Sequence, residues 1–264
     1  MGGLIAMAFE LSVNLEYGFT EAGEKVEDRV AAAAAAGFRK VELFLLKGRD
    51  LGAIKAALDA HGVTLVSTVA DYVTQLVDPA THEGFCEIFR EAAAAAKSLG
   101  CANVVVTSGR GVPWLKRPVQ LAIFADALRK LVPIAEELDV TILLESANTR
   151  FDHPGVLCST TADSVVVADM VDHPRVKVLY DLYHSVVEGE DPETALKAAM
   201  HQVVHVQVAD APGRGEPGSG NIDWPAMLAM FERVGYRGTI GLELQPTRPS
   251  AEAFSYSGSL RAIA

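Results

Sequence analysis

Apolar residues run along the chain in two alternating rhythms. One is a helix-length stretch that stops at a glycine, and the other is a short β-branched run that follows within a few residues, as in RVAAAAAAGFRKVELF and REAAAAAKSLGCANVVV. Gly37 and Gly100 read as the residues that close helices in a left-handed conformation. The joint recurs at Gly62 in ALDAHGVTLVS and at Gly235 in MFERVGYRGTIGLEL, while EELDVTILLE puts Asp139 where the others put glycine. Strands are predicted near residues 9–14, 39–45, 63–69, 102–107, 140–145, 175–181, 202–207 and 238–243, each followed by a helical pattern.

Strand alternating with helix implies a parallel sheet, and eight such units are the number that closes a barrel. The expected fold is a single (β/α)8 TIM barrel, one domain over residues 1–264. An open doubly wound sheet is the alternative. The barrel is favoured because polar residues collect at the last position of many strands, and in a barrel those ends meet at one mouth. The alanine runs 31–36 and 92–96 lie inside helices and have high helix propensity, so they are packing surface and not linkers. Longer loops follow strands four (SGRGVPWLKRP), five (SANTRFDHPGVLCST) and seven (ADAPGRGEPGSGNI), on the face where barrel loops build a site.

Composition narrows the partners. The 264 residues are 50% hydrophobic and 22% charged, enough to bury a core. A net charge of -11 without any Lys/Arg run argues against nucleic acid. Cys86, Cys101 and Cys158 have neither paired nor metal-type spacing, as in a reducing compartment. The opening MGGLIAMAFE lacks the basic segment and long apolar core of a signal peptide, and no run reaches the roughly 20 apolar residues of a membrane span. The expected protein is cytoplasmic, takes a small-molecule sugar or keto acid, and assembles as a homo-oligomer, a dimer or a tetramer.

Four late strands end in oxygen donors: Glu145 in TILLES, Asp181 in KVLYDLYH, Gln207 in VVHVQVAD and Glu243 in TIGLELQP. Strand alternation puts each on the same face as the residue two before it, namely Leu143, Leu179, His205 and Gly241. Any one such carboxylate is as often a first solvated residue beyond the core. Three in one mouth would raise each other's pKa unless a cation compensated them. A divalent ion is the simplest remedy, and an all-oxygen donor set suits Mg²⁺ or Mn²⁺ better than Zn²⁺.

The string HVQVADAPGRGEPGSGNIDW, with LLESANTR, YDLYH and GLELQP, resembles the hydroxypyruvate isomerase family of xylose-isomerase-like barrels. The resemblance implies a metal held by Glu145, Asp181, Gln207 and Glu243, with Glu145 and Glu243 also moving the proton. It further implies that His184 and Arg214 contact substrate oxygens. The implied reaction takes a proton from a carbon beside a carbonyl, passes through a cis-enediolate and returns the proton to the neighbouring carbon, with the two glutamates as base and acid. The resemblance weakens in VSTVADYVTQLVDPATHEGF after strand three and at VVVTSG, both in substrate-facing loops. A four-carbon sugar acid or small ketose is therefore as acceptable as hydroxypyruvate.

Lesser signals complete the reading. Glu42 in KVELF is a candidate contact for a substrate hydroxyl across the mouth, or else a solvated strand end. His205 is expected to orient ligands from one layer deeper, and Asp210 to anchor its loop. Gly213 to Gly218 satisfies G-x-G-x-x-G, but Pro217 interrupts it and the next helix is predicted at Asp223, so no dinucleotide site is expected. Arg214 in that loop could clamp substrate, a phosphorylated one included. The nearest rival function is a ketose 3-epimerase, which usually presents His where this chain has Gln207. An abasic-site endonuclease would need a histidine-rich zinc site and a basic face, and a non-catalytic sugar-binding barrel would not need both glutamates.

Overall fold

The computed structural model describes residues 9–255. Residues 1–8 of the opening MGGLIAMAFE, where no signal peptide is expected, and residues 256–264 at the end of the expected domain lie outside the described residues. Eight parallel strands close into a barrel in sequence order, with β8 pairing back onto β1. They are β1 (Leu11–Asn14), β2 (Lys40–Glu42), β3 (Thr64–Val69), β4 (Asn103–Val106), β5 (Thr141–Glu145), β6 (Val176–Asp181), β7 (Val203–Val208) and β8 (Ile240–Leu242). The main helices between them are α1 (Val26–Ala35), α2 (Leu51–His61), α3 (His82–Ser98), α4 (Arg117–Leu138), α5 (Thr161–Val171), α6 (Leu182–Glu188), α7 (Pro192–Ala199) and α8 (Trp224–Arg233), with α9 (Ser250–Ala253) after β8. The (β/α)8 barrel expected from the hydrophobic rhythm is the fold observed.

The helix stops fall where the sequence puts them. Gly62 closes α2 at φ 61° and Asp139 closes α4 at φ 56°, the aspartate taking the same left-handed turn. Asp172 ends α5 in the same way, without a glycine to announce it. Two strands are shorter than expected. The register shifts between Val41 and Glu42, so β2 loses regular pairing although Leu43 still donates to Ser67 O. Beyond Leu242 the chain leaves the ladder, and Gln245 N donates to Arg214 O at 2.8 Å. The β6 to β7 connection holds two helices instead of one, because Asp181 caps α6 directly and Gly189 ends it.

Outward-facing strand residues such as Val13, Val41, Ile142, Val178 and Leu242 join the helices in one fully buried apolar layer. Each buried Val, Leu, Ile or Phe there contributes roughly 1.5–3 kcal/mol. Inside the barrel the two halves differ. Val69, Val105, Leu143 and Leu179, from β3 to β6, form a separate apolar cluster. Opposite them Ser12, Asn14, Glu42, Ser67, His205 and Gln207 are buried polar residues. Aliphatic layers ordinarily fill such a barrel, and here half of the interior is a polar network beneath the mouth.

Candidate active site

The mouth opens into a cavity of about 460 Å³, lined among others by Tyr17, Tyr72, Glu145, Asp152, His184, Arg214 and Glu243. Glu145 ends β5, Asp181 ends β6, Gln207 lies near the end of β7 and Glu243 follows β8, so the barrel gathers the four expected donors at one end. Asp181 divides its oxygens. Oδ1 accepts from Tyr183 N at 2.8 Å and so caps α6, whereas Oδ2 is buried without a hydrogen-bond partner. Gln207 is split likewise: Nε2 donates to Glu42 Oε2 at 2.7 Å and to Glu243 Oε2 at 2.8 Å, and the buried Oε1 has no partner.

The two glutamates differ in how they are held. Glu243 accepts from Arg214 Nη2 at 2.5 Å, Gln207 Nε2 at 2.8 Å and Asn14 Nδ2 at 3.2 Å. Glu145 accepts no hydrogen bond among the described residues, and His184 Nε2 lies 3.9 Å from its Oε1. Burial pushes the Glu145 carboxyl well above the usual range, and the nearby Glu243 and Asp181 add to it. Burial also raises Glu243, against the pull of Arg214.

His184 is buried, and burial lowers its pKa to about 4. Its Nδ1 accepts from Asn148 N at 3.2 Å, so the neutral ring directs Nε2–H towards Asp181 Oδ2, 3.7 Å away, and Glu145. Glu145, Asp181 and His184 each offer a ligand atom within 4.8 Å of the others. Two orphaned buried oxygens and a crowd of acids make a donor set that fits a divalent cation.

Arg214 reaches this cluster from the loop after β7, with φ 55° and its guanidinium over Tyr183 at 5.1 Å. The loop is built around Asp210, which is wholly buried. Its Oδ1 accepts from Ala211 N and Ile222 N, and its Oδ2 from Gly218 N and Trp224 Nε1, at 2.6–3.1 Å. Glu216 ties the same loop to Thr247 and Arg248. Asp210 is thus the loop anchor anticipated from the sequence. The glycines of the loop open no helix, and α8 begins only after Asp223, whose side chain accepts from Ala226 N at 3.1 Å.

Glu42 differs from both expectations for it. It is neither at the mouth nor solvated but 1% exposed, and its carboxylate accepts from Ser12 Oγ (2.5 Å), Ser67 Oγ (3.1 Å), Gln207 Nε2 (2.7 Å) and His205 Nε2 (3.0 Å). With four partners below the donor layer, it has no oxygen left for a substrate hydroxyl. Burial favours the neutral acid, but His205 and the other donors outweigh it and hold the carboxyl below its ordinary value. His205 therefore acts on Glu42 rather than directly on Gln207. Asn14, Tyr17, Asn148 and Asp152 also belong to the site, though none was expected there from the sequence. Asn14, a polar residue ending an apolar strand, obeys the rule that found the four donors. The others sit in loops, where no periodicity marks them.

Residues 30–260 match the Xylose isomerase-like TIM barrel family. The chain belongs to that family. It is 33% identical over 266 residues to a provisionally named hydroxypyruvate isomerase of Streptomyces coelicolor, covering 93% of this chain and 94% of the relative. It is 30% identical over 227 residues to the 2-oxo-tetronate isomerase of Cupriavidus necator, covering 83% and 86%. The crystal structure of an AP endonuclease, family 2, from Brucella melitensis superposes with a TM-score of 0.85 at 25% identity, over 96% of this chain and 99% of that one. By kinship with the first two, the chain is an isomerase.

Proposed function

We propose that the protein interconverts a small 2-keto-3-hydroxy acid and its 3-oxo isomer, with hydroxypyruvate as the simplest substrate. The observation that carries this reading is the pair of glutamates at the ends of β5 and β8 facing one cavity, Glu243 buried and Glu145 half-buried and free of hydrogen bonds among the described residues. Isomerisation needs a group that takes a proton from C3 and one that gives a proton to C2, while the O3 proton passes to O2. A carboxyl on each side of the cavity suits the roles of base and acid, and burial raises both above the ordinary range in the metal-free site. Glu145, unpinned, is the better shuttle. Glu243 is fixed by Arg214, Gln207 and Asn14 and completes the pair.

Glu145, Asp181, Gln207 and Glu243 would hold a divalent ion, Mg²⁺ or Mn²⁺ by their oxygen chemistry, and the unpartnered Asp181 Oδ2 and Gln207 Oε1 support this. When bound, such an ion supplies a Lewis acid that stabilises negative charge developing on substrate oxygen. Arg214 and His184 line the cavity as donors for substrate oxygens. His184, kept neutral, can donate from Nε2 without adding charge.

The test is NMR of hydroxypyruvate and 2-oxo-tetronate incubated in D₂O with Mn²⁺ or Mg²⁺. Aldehyde or 3-oxo product carrying deuterium at C2 is expected, and Glu145→Gln abolishes it. Exchange at C3 of 2-oxo-tetronate with inverted configuration and no 3-oxo product would make the enzyme an epimerase instead.

A further inference from the structure

Two arginines line the cavity, and they are used differently. Arg214 is 6% exposed and its charge is spent on Glu243 at 2.5 Å, with Asp181 at 3.8 Å and Asp152 at 4.0 Å. Arg110, in the loop after β4, is exposed, and no carboxylate of the described residues lies within ion-pair distance of its guanidinium.

The backbone that carries Arg110 is, by contrast, tightly held. Its N–H donates to Gln75 Oε1 at 2.7 Å, and the residue forms an antiparallel bridge with Val156. On either side Leu157 N donates to Gly109 O, and Gly111 N to Gly155 O, both at 2.9 Å. Gly109 sits at φ 70°, where a Cβ would lie 2.8 Å from Thr74 O, so only glycine lets the loops after β3 and β4 come this close. Three loops thus lock one peptide at the cavity wall and leave its side chain exposed and without an ion pair among the described residues. A free guanidinium on a fixed backbone is pre-organised for an anion.

The acids lining the cavity are Glu145, Asp152 and Glu243, which belong to the β5 and β8 side. The other lining cation, Arg214, is paired with Glu243, which leaves Arg110, after β4, as the uncommitted cation among the described residues of the cavity wall. We propose that Arg110 is the residue that binds the substrate's C1 carboxylate and makes the enzyme selective for keto acids over neutral ketoses. This rests on the keto-acid reading above. A carboxylate held there leaves C2 and C3 as the part of the molecule offered to the glutamates.

The test compares hydroxypyruvate with dihydroxyacetone, which replaces only the carboxylate by a hydroxymethyl group, in the Mn²⁺-loaded wild type, Arg110→Gln and Arg110→Lys. Loss of a charge-assisted pair predicts that Arg110→Gln raises KM for hydroxypyruvate about tenfold to a hundredfold more than KM for dihydroxyacetone. Arg110→Lys should fall between. In parallel, calorimetry with tartronate, a non-reacting dicarboxylate, should give binding to the wild type that Arg110→Gln weakens by a similar factor, with circular dichroism confirming the fold. Hydroxypyruvate KM within about threefold of wild type in Arg110→Gln, equal tartronate binding by both proteins, or no tartronate binding by the wild type would each overturn the assignment. A wild type that binds tartronate through Arg110 yet turns over no keto acid would instead overturn the proposed reaction.

Discussion

Gln207 Nε2 lies 2.7 Å from Glu42 Oε2, and this contact decides which end of the amide remains available. With its nitrogen shared between Glu42 and Glu243, the amide keeps Oε1, an acceptor, as its unpartnered atom. Glu42→Gln removes the charge that holds this orientation and leaves His205 without its buried partner. We expect Mn²⁺ affinity by calorimetry to fall at least about tenfold. Urea unfolding should show a loss of about 3 kcal/mol, typical of breaking one side of a buried pair. Unaltered Mn²⁺ affinity would mean that Glu42 does not set the amide.

Gly241 protects the same network. A Cβ there would collide with Glu42 Oε1 and press on Gln207 Cγ at 3.1 Å. Gly241→Ala should therefore mimic Glu42→Gln, lowering stability by about 1–3 kcal/mol as an overpacked site does. Thermal unfolding indistinguishable from wild type would show that the interior has slack.

Glu145→Gln should separate stability from chemistry. It removes one of the like charges crowded with Glu243 and Asp181, so the metal-free variant should melt a few degrees above the metal-free parent at pH 8. Solvent-deuterium exchange into substrate should drop by about 10²–10⁴, the scale of a lost acid/base group. A lower melting temperature with activity retained would contradict both halves.

The pH dependence of the metal-free protein follows from the raised carboxyls. A group whose folded pKa exceeds its unfolded value stabilises the fold at low pH, and that contribution is lost as pH rises through the folded pKa. Burial with the neighbouring acids raises Glu145, and burial raises Glu243 to about 8, so their contribution should decline between roughly pH 4.5 and 8. With EDTA present, the melting temperature should fall across that range. Mn²⁺ should restore more of it at pH 8 than at pH 5.5, where protons compete for the same oxygens. Equal restoration at both values would place the ion elsewhere.

Asp210 is the test of the loop that delivers Arg214. Asp210→Ala strands four donors, at Ala211, Gly218, Ile222 and Trp224, and should cost more than about 2 kcal/mol. The rise in KM should resemble that of Arg214→Ala, because the guanidinium is no longer held on Glu243. Urea unfolding and steady-state kinetics on both variants check this. Wild-type KM in Asp210→Ala would free the loop of that role.

The hydrophobic rhythm and the helix stops at Gly62 and Asp139 were enough to read the barrel, because strand and helix periods are local properties of the chain. The same locality revealed Glu145, Asp181, Gln207 and Glu243, each a polar residue ending an apolar run. Asp210 and Asp223 were legible as loop anchor and helix cap through their spacing. What a side chain does once the barrel closes depends on residues far away in sequence. Glu42 has the same pattern as the other strand-end acids, yet Ser12, Ser67, His205 and Gln207 enclose it, and only the register of four strands makes that so. Arg110 and Arg214 are two arginines in glycine-rich loops, and nothing local distinguishes them. Tertiary structure gave one the acids and left the other free, since electrostatic pairing depends on distance in space, whereas sequence patterns report only distance along the chain.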